Sequence, residues 1–193
     1  MEMLFKNACS VVIFWARDRS GLAATEFVIV FPMLFMMLLG TVELGNGIMA
    51  NQKTIMASQI VNDLMTRSEE VTTVQIDEAK SAGRLALNPF EPTAVGFDIV
   101  SVRFVADSAD AGTEPDPEIV WRETDNMGGY EAAEEAIKEN VLPLALVGDG
   151  LVMVSVRYPY TPAFGSRFVG NLNMIETTFA RGRKSPVVYR AGS

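Results

Sequence analysis

Apolar residues run almost without a break from Gly21 to Val42, interrupted only by Glu26, Pro32 and a few small or hydroxyl residues. That run matches the roughly 20 residues with which an α-helix crosses a hydrocarbon core. Beyond it the pattern changes to helical spacing. Ile48, Met49, Ile55, Met56, Ile60 and Leu64 recur against Asn51, Gln52, Lys53, Ser58, Asn62 and Asp63, which predicts an amphipathic continuation whose apolar stripe faces a core. Unbroken from Leu22 to Met65, such a helix is about 65 Å long at 1.5 Å per residue. Pro32 removes one backbone hydrogen bond and crowds the carbonyl four residues back, so a bend is expected there.

Thr72 followed by Gln75 forms a capping box that starts a second helix, with Ile76, Ala79, Gly83, Ala86 and Leu87 on one face and Asn88-Pro89 ending it. Alternation then predicts strands over Phe97–Ala106, Ile119–Thr124, Leu151–Tyr158 and Asn171–Ala180, with a helix over Tyr130–Asn140 in between. Four short strands in hairpin-like order predict an α+β fold: one small antiparallel sheet packed on the long helix.

Charge orients this arrangement. Lys6, Arg17 and Arg19 precede the apolar run, and the next cation after it is Lys53. The positive-inside rule therefore puts the N-terminus in the cytoplasm and the residues after about 44 outside it. The chain carries 16 basic and 24 acidic residues, a formal charge of −8. An acidic outer domain disfavours nucleic acid and anionic lipid as partners. The single cysteine, Cys9, lies before the apolar run, so the outer domain has no disulfide. With no histidine anywhere, His-based triads, general bases and metal ligands are all ruled out. No spacing of Ser, Lys and Asp suggests a nucleophile with its base, so neither an enzymatic activity, a cofactor, a metal nor a small-molecule substrate is expected.

Residues 1–20 resemble a signal peptide only superficially. Val11–Ala16 is short for an apolar core, and Arg17-Asp18-Arg19 closes it without a small-residue cleavage site. A cut before the long apolar run is the plainer reading. A cut between Gly21 and Leu22 frees an α-amino group one helical turn from Glu26. Between two packed subunits, Glu26 of one and the Leu22 ammonium of the next can then neutralise each other and set the axial register. The competing reading of Glu26 is a carboxylate close enough to the helix end to reach the interface by itself.

The segment RSG-LAATEF resembles the processing site of type IV prepilins and pseudopilins: a basic leader, Gly21 before the cut, a glutamate at Glu26 and an aromatic at Phe27. The continuation, with Pro32, Glu43 and Gly45, is similar to the TadE-like family of tight-adherence (Flp) pilus systems. Tyr158-Pro159-Tyr160-Thr161-Pro162 and the basic close Arg181-Gly182-Arg183 resemble that family's C-terminal segment more weakly. The resemblance implies three parts: a leader over 1–21 removed by a prepilin peptidase, a transmembrane assembly helix over 22–43 and a periplasmic pilin-like α+β domain over 44–193. The implied function is that of a minor pilin or pseudopilin in pilus assembly and surface attachment. The implied partners are the inner membrane, the peptidase, other pilins and the assembly machinery. The alternative is an unprocessed, signal-anchored single-pass protein with an extracytoplasmic ligand-binding domain.

Other features are read more modestly. Glu43 is an interfacial acid or, alternatively, an assembly contact. The acidic stretch Asp107–Glu118 lacks EF-hand spacing and suits an exposed turn better than a Ca²⁺ loop. Tyr158, Tyr160 and Phe164 are either an adhesive surface patch for a partner or strand-end packing. The arginines of the C-terminal tail either meet phosphate head groups or keep the end soluble.

Overall fold

The computed structural model describes residues 20–106, 115–142, 145–164, 166 and 170–192. Residues 1–19 of the expected leader over 1–21, and residues 107–114 of the acidic stretch, lie outside these. The chain divides into two compact units, Met1–Leu44 and Gly45–Ser193. In the first, the described residues are all helix; this helix, α1, covers Ser20–Met65 and continues through Pro32 into the second unit.

The second unit is α+β. After α1 come β1 (Glu70–Val71), α2 (Thr73–Ala86), a 3₁₀ turn (Pro92–Ala94), β2 (Gly96–Val105) and β3 (Asp116–Asp125). Then follow α3 (Glu131–Ala136) with a π turn (Ile137–Val141), β4 (Gly150–Tyr160), β5 (Leu172–Ala180) and β6 (Tyr189–Arg190). The main sheet is antiparallel with order β3-β2-β4-β5. A β-bulge interrupts the β2–β3 register between Ser101 and Val102.

Alternation along the strands separates two apolar layers. Phe97, Ile99, Trp121, Val152, Val154 and Val156 pack with the end of α1 and with α2. Val100, Val102, Phe104, Leu151 and Met153 pack instead with Ala133 and Ile137 of the α3 segment. The capping box of α2 is present as expected: the Thr72 hydroxyl accepts from the Gln75 N–H at 3.3 Å, and the Gln75 side chain accepts from the Thr72 N–H at 2.9 Å. Gly83 is required by close approach, because a Cβ there would lie 2.7 Å from Val61 Cγ2 and 2.9 Å from Phe97 Cε1.

The buried stripe of α1 in this unit differs from the expected one. Ile48, Met49 and Met56 are exposed, and Ile55, Ile60 and Leu64 are half-buried. Ala50, Thr54, Ala57, Ser58, Val61, Asn62 and Met65 face the core instead. Small side chains let the helix axis approach the sheet closely. The hydroxyls are buried at little cost because Thr54 donates to Ala50 O (2.9 Å), Ser58 to Ile55 O (2.8 Å) and Thr66 to Asn62 O (2.9 Å).

The C-terminal tail also departs from expectation. It is folded back as a clasp, with β6 pairing in parallel with β1. Val187 and Val188 are buried. The Val188 carbonyl accepts from Ser101 Oγ (2.6 Å) and Trp121 Nε1 (2.9 Å). Arg183 pairs with Asp63, Arg181 with Asp149 and Arg190 with Glu123. The tail arginines therefore meet carboxylates of their own domain.

Candidate membrane and assembly segment

Within the first unit, the residues singled out from the sequence lie on successive turns of α1. Gly21 and Leu22 occupy its first turn, where the Thr25 hydroxyl donates to Leu22 O at 2.8 Å and approaches Gly21 O at 3.3 Å. Glu26 and Phe27 are exposed one turn further on, and Glu43 is half-buried near the end of the unit. The helix is long and apolar enough to cross a membrane, and none of its most apolar window is buried within the chain. Phe27, Val28, Ile29, Met33, Leu34 and Met37 are all at least half exposed. In water such a surface is strongly unfavourable at about 25 cal/mol per Å². In hydrocarbon it is the natural covering, so the helix is of the kind that anchors a chain by a single pass.

Glu26 is the only carboxylate between Gly21 and Thr41. Inserting it costs roughly 2.5–3.5 kcal/mol at the centre of a membrane helix and less near an end. Beside it runs a feature missed from the sequence. Phe27, Phe31 and Phe35 form a ladder at four-residue spacing, with ring centroids 5.2 and 5.8 Å apart. The i, i+4 spacing was the available signal, since such residues stack one above the other on a helix.

The aromatic patch proposed at the other end of the chain divides. Tyr158 and Tyr160 are 5% and 6% exposed. They pack with Phe90, each ring centroid 6.1 Å from it, and burial raises the Tyr158 pKa. The adhesive reading is corrected for these two: their alternation on β4 puts them in the inner layer, where they close the strand end. Phe164 is exposed.

Among the described residues of the second unit, ion pairs gather at three intramolecular clusters. Asp98 is fully buried and takes two hydrogen bonds from Arg122, at 2.9 and 2.7 Å, and one from the Tyr130 N–H at 2.8 Å. Arg122 also reaches Glu134 at 2.6 Å, and its pKa is raised chiefly by the hydrogen bonds it donates to Asp98. Gly129 leaves room for this guanidinium, since a Cβ would meet Arg122 Cζ at 2.4 Å. Lys80 bridges Asp77 (2.8 Å) and Glu123 (3.5 Å). Burial opposes its charge most strongly, but Asp77, Glu123 and Asp125 together outweigh it and the pKa is raised. Asp63 is held below the usual aspartate value, first by Arg67 and then by Arg183. Each cluster ties neighbouring elements together. Among the described residues no group of three or more His, Cys, Asp or Glu is placed to hold a metal.

A family model described as TadE-like protein matches residues 21–60. The matched stretch contains Gly21, Leu22, Glu26, Phe27, Pro32 and Glu43, and it ends inside the buried half of α1. No curated protein and no solved structure matches the chain.

Proposed function

We propose that this chain is a membrane-anchored pseudopilin-like subunit of tight-adherence (Flp) pilus assembly, cut after Gly21 by a prepilin peptidase and registered against its neighbours through Glu26. The TadE-like match over 21–60 carries the reading. The exposed apolar stretch of α1 within that match supports it. In this reading the Gly45–Ser193 unit lies in the periplasm and takes part in surface attachment through the pilus.

The physical work falls on the N-terminal helix. Cleavage exposes the Leu22 amine, whose ordinary pKa near 7.7–8.0 keeps it charged at neutral pH. Docked beside Glu26 of a neighbouring helix, it removes an unpaired carboxylate from an apolar bundle. Any other axial alignment leaves both charges bare, so the pair selects one register. The Phe27–Phe31–Phe35 ladder adds a large apolar contact area on another face of the same helix.

The deciding experiment is N-terminal sequencing of the protein co-expressed with a prepilin peptidase. The expected first residue is Leu22, and Gly21→Arg is expected to leave the leader attached. Glu26→Ala is expected to be cut normally yet to reduce pilus yield. A mature protein that still begins at Met1 would reject the reading.

A further inference from the structure

The two outer strands of the main sheet are treated differently. At β3 the free edge is defended. Pro117 sits opposite Phe104, whose N–H bonds away from β3 to Asp149 O and whose carbonyl accepts from Gly148 N. That pair is therefore a non-bonded one, and the N–H missing from Pro117 is missing on the outer side. Asp116, Glu118, Glu123 and Asp125 line the same strand, and the bulge twists it. These are the devices by which sheets refuse further strands.

The β5 edge has none of these defences. Its nine residues, LNMIETTFA, contain no proline and one charge, and the registers from β2 through β4 to β5 run without a shift. Phe104 fixes the phase: even-numbered β2 residues bond toward β4, so even-numbered β5 residues bond back to β4. The backbone N–H and C=O groups of Asn173, Ile175, Thr177 and Phe179 consequently point outward, and no described residue bonds to them there. Phe179 is exposed and Ile175 half-buried. Glu176, on the opposite face beside Val156, has no ion-pair partner among the described residues.

We propose that the outer edge of β5 is a docking site for an extended segment of a different protein, added as a fifth strand. The segment carries apolar or β-branched residues beside Ile175 and Phe179 and a Lys or Arg beside Glu176. Main-chain bonds to the four outward residues hold it, and the cation selects it. A second copy does not fit. Gly47 lies by Tyr160, while Ser58 and Asn62 lie by Thr178, so the 45–65 stretch of α1 runs alongside β5 in the same direction. The β5 of a second copy offers no Lys or Arg to sit beside Glu176, and a two-fold β5–β5 pairing would set the two 45–65 stretches antiparallel. The inference does not require processing at Gly21.

The test uses the full chain in detergent micelles and a fluorescent peptide of alternating Val and Thr with one Lys set beside Glu176. Binding is expected, weakened about tenfold or more by Thr177→Pro, which removes one outward N–H while keeping the backbone bonds to β4. Glu176→Lys is expected to transfer preference to the matching Glu peptide. Hydrogen exchange should be fast at Asn173, Ile175, Thr177 and Phe179 in the free chain and slow with peptide bound. Slow exchange at those four amides without peptide would overturn the proposal, as would binding indifferent to both substitutions. Dimerisation abolished by Thr177→Pro, or a preference for a peptide of sequence Leu172–Ala180, would assign the edge to a second copy and equally overturn it.

Discussion

The two halves of α1 are continuous in sequence and opposite in design. From Gly21 to Leu44 the helix presents large apolar side chains that are mostly exposed. From Gly45 to Met65 it buries Ala50, Thr54, Ala57, Ser58 and Val61 and leaves Ile48 and Met56 outside. Hydrophobicity therefore reports what a helix touches only once its surroundings are known. In lipid, bulk and apolarity are the requirement. Against a sheet, the closeness of approach decides, and small residues with internally satisfied hydroxyls win over larger apolar ones.

Substitutions that treat the halves alike should separate them. Phe97→Ala empties a fully buried ring site beneath α2 and is expected to cost about 3–5 kcal/mol of domain stability. Phe35→Ala, on the exposed ladder, should leave the unfolding midpoint of the domain unchanged. Denaturant melts of the detergent-solubilised chain measure both. Asp98→Ala strands Arg122 beside Glu134 alone and frees the Tyr130 N–H. An expected loss of about 3 kcal/mol follows from breaking a buried pair, and an unchanged melt would show that cluster to be ornamental. Ala57→Leu over-packs the helix–sheet contact and should cost about 1–3 kcal/mol, whereas enlarging a residue in the 21–44 stretch should not.

The smallest effect is that of pH. Asp63 titrates below its usual value of 3.8 because Arg67, and then Arg183, favour its charge. Its stabilising contribution is complete above the unfolded value and is lost as pH falls through the lower folded one. Circular-dichroism melts should be flat near neutrality and fall in acid, and Asp63→Asn should remove part of that fall. The carboxylate is partly exposed, so solvent screening keeps the change modest.

Much of this protein could be read before any coordinates. A run of apolar residues too long for a soluble surface helix, the Gly21–Glu26–Phe27 spacing, the Thr72–Gln75 capping box and the alternation of four strands are local properties, and local chemistry suffices to read them. Sheet order, the side of α1 that is buried, the inward turn of Tyr158 and Tyr160, and the closing of the tail over Trp121 through Val188 were decided only in three dimensions. Each depends on partners distant in sequence, as in the pairing of Arg183 with Asp63 or of Trp121 with Val188. Periodicity specifies which residues share a face, but the shape of the opposing surface decides which face is used.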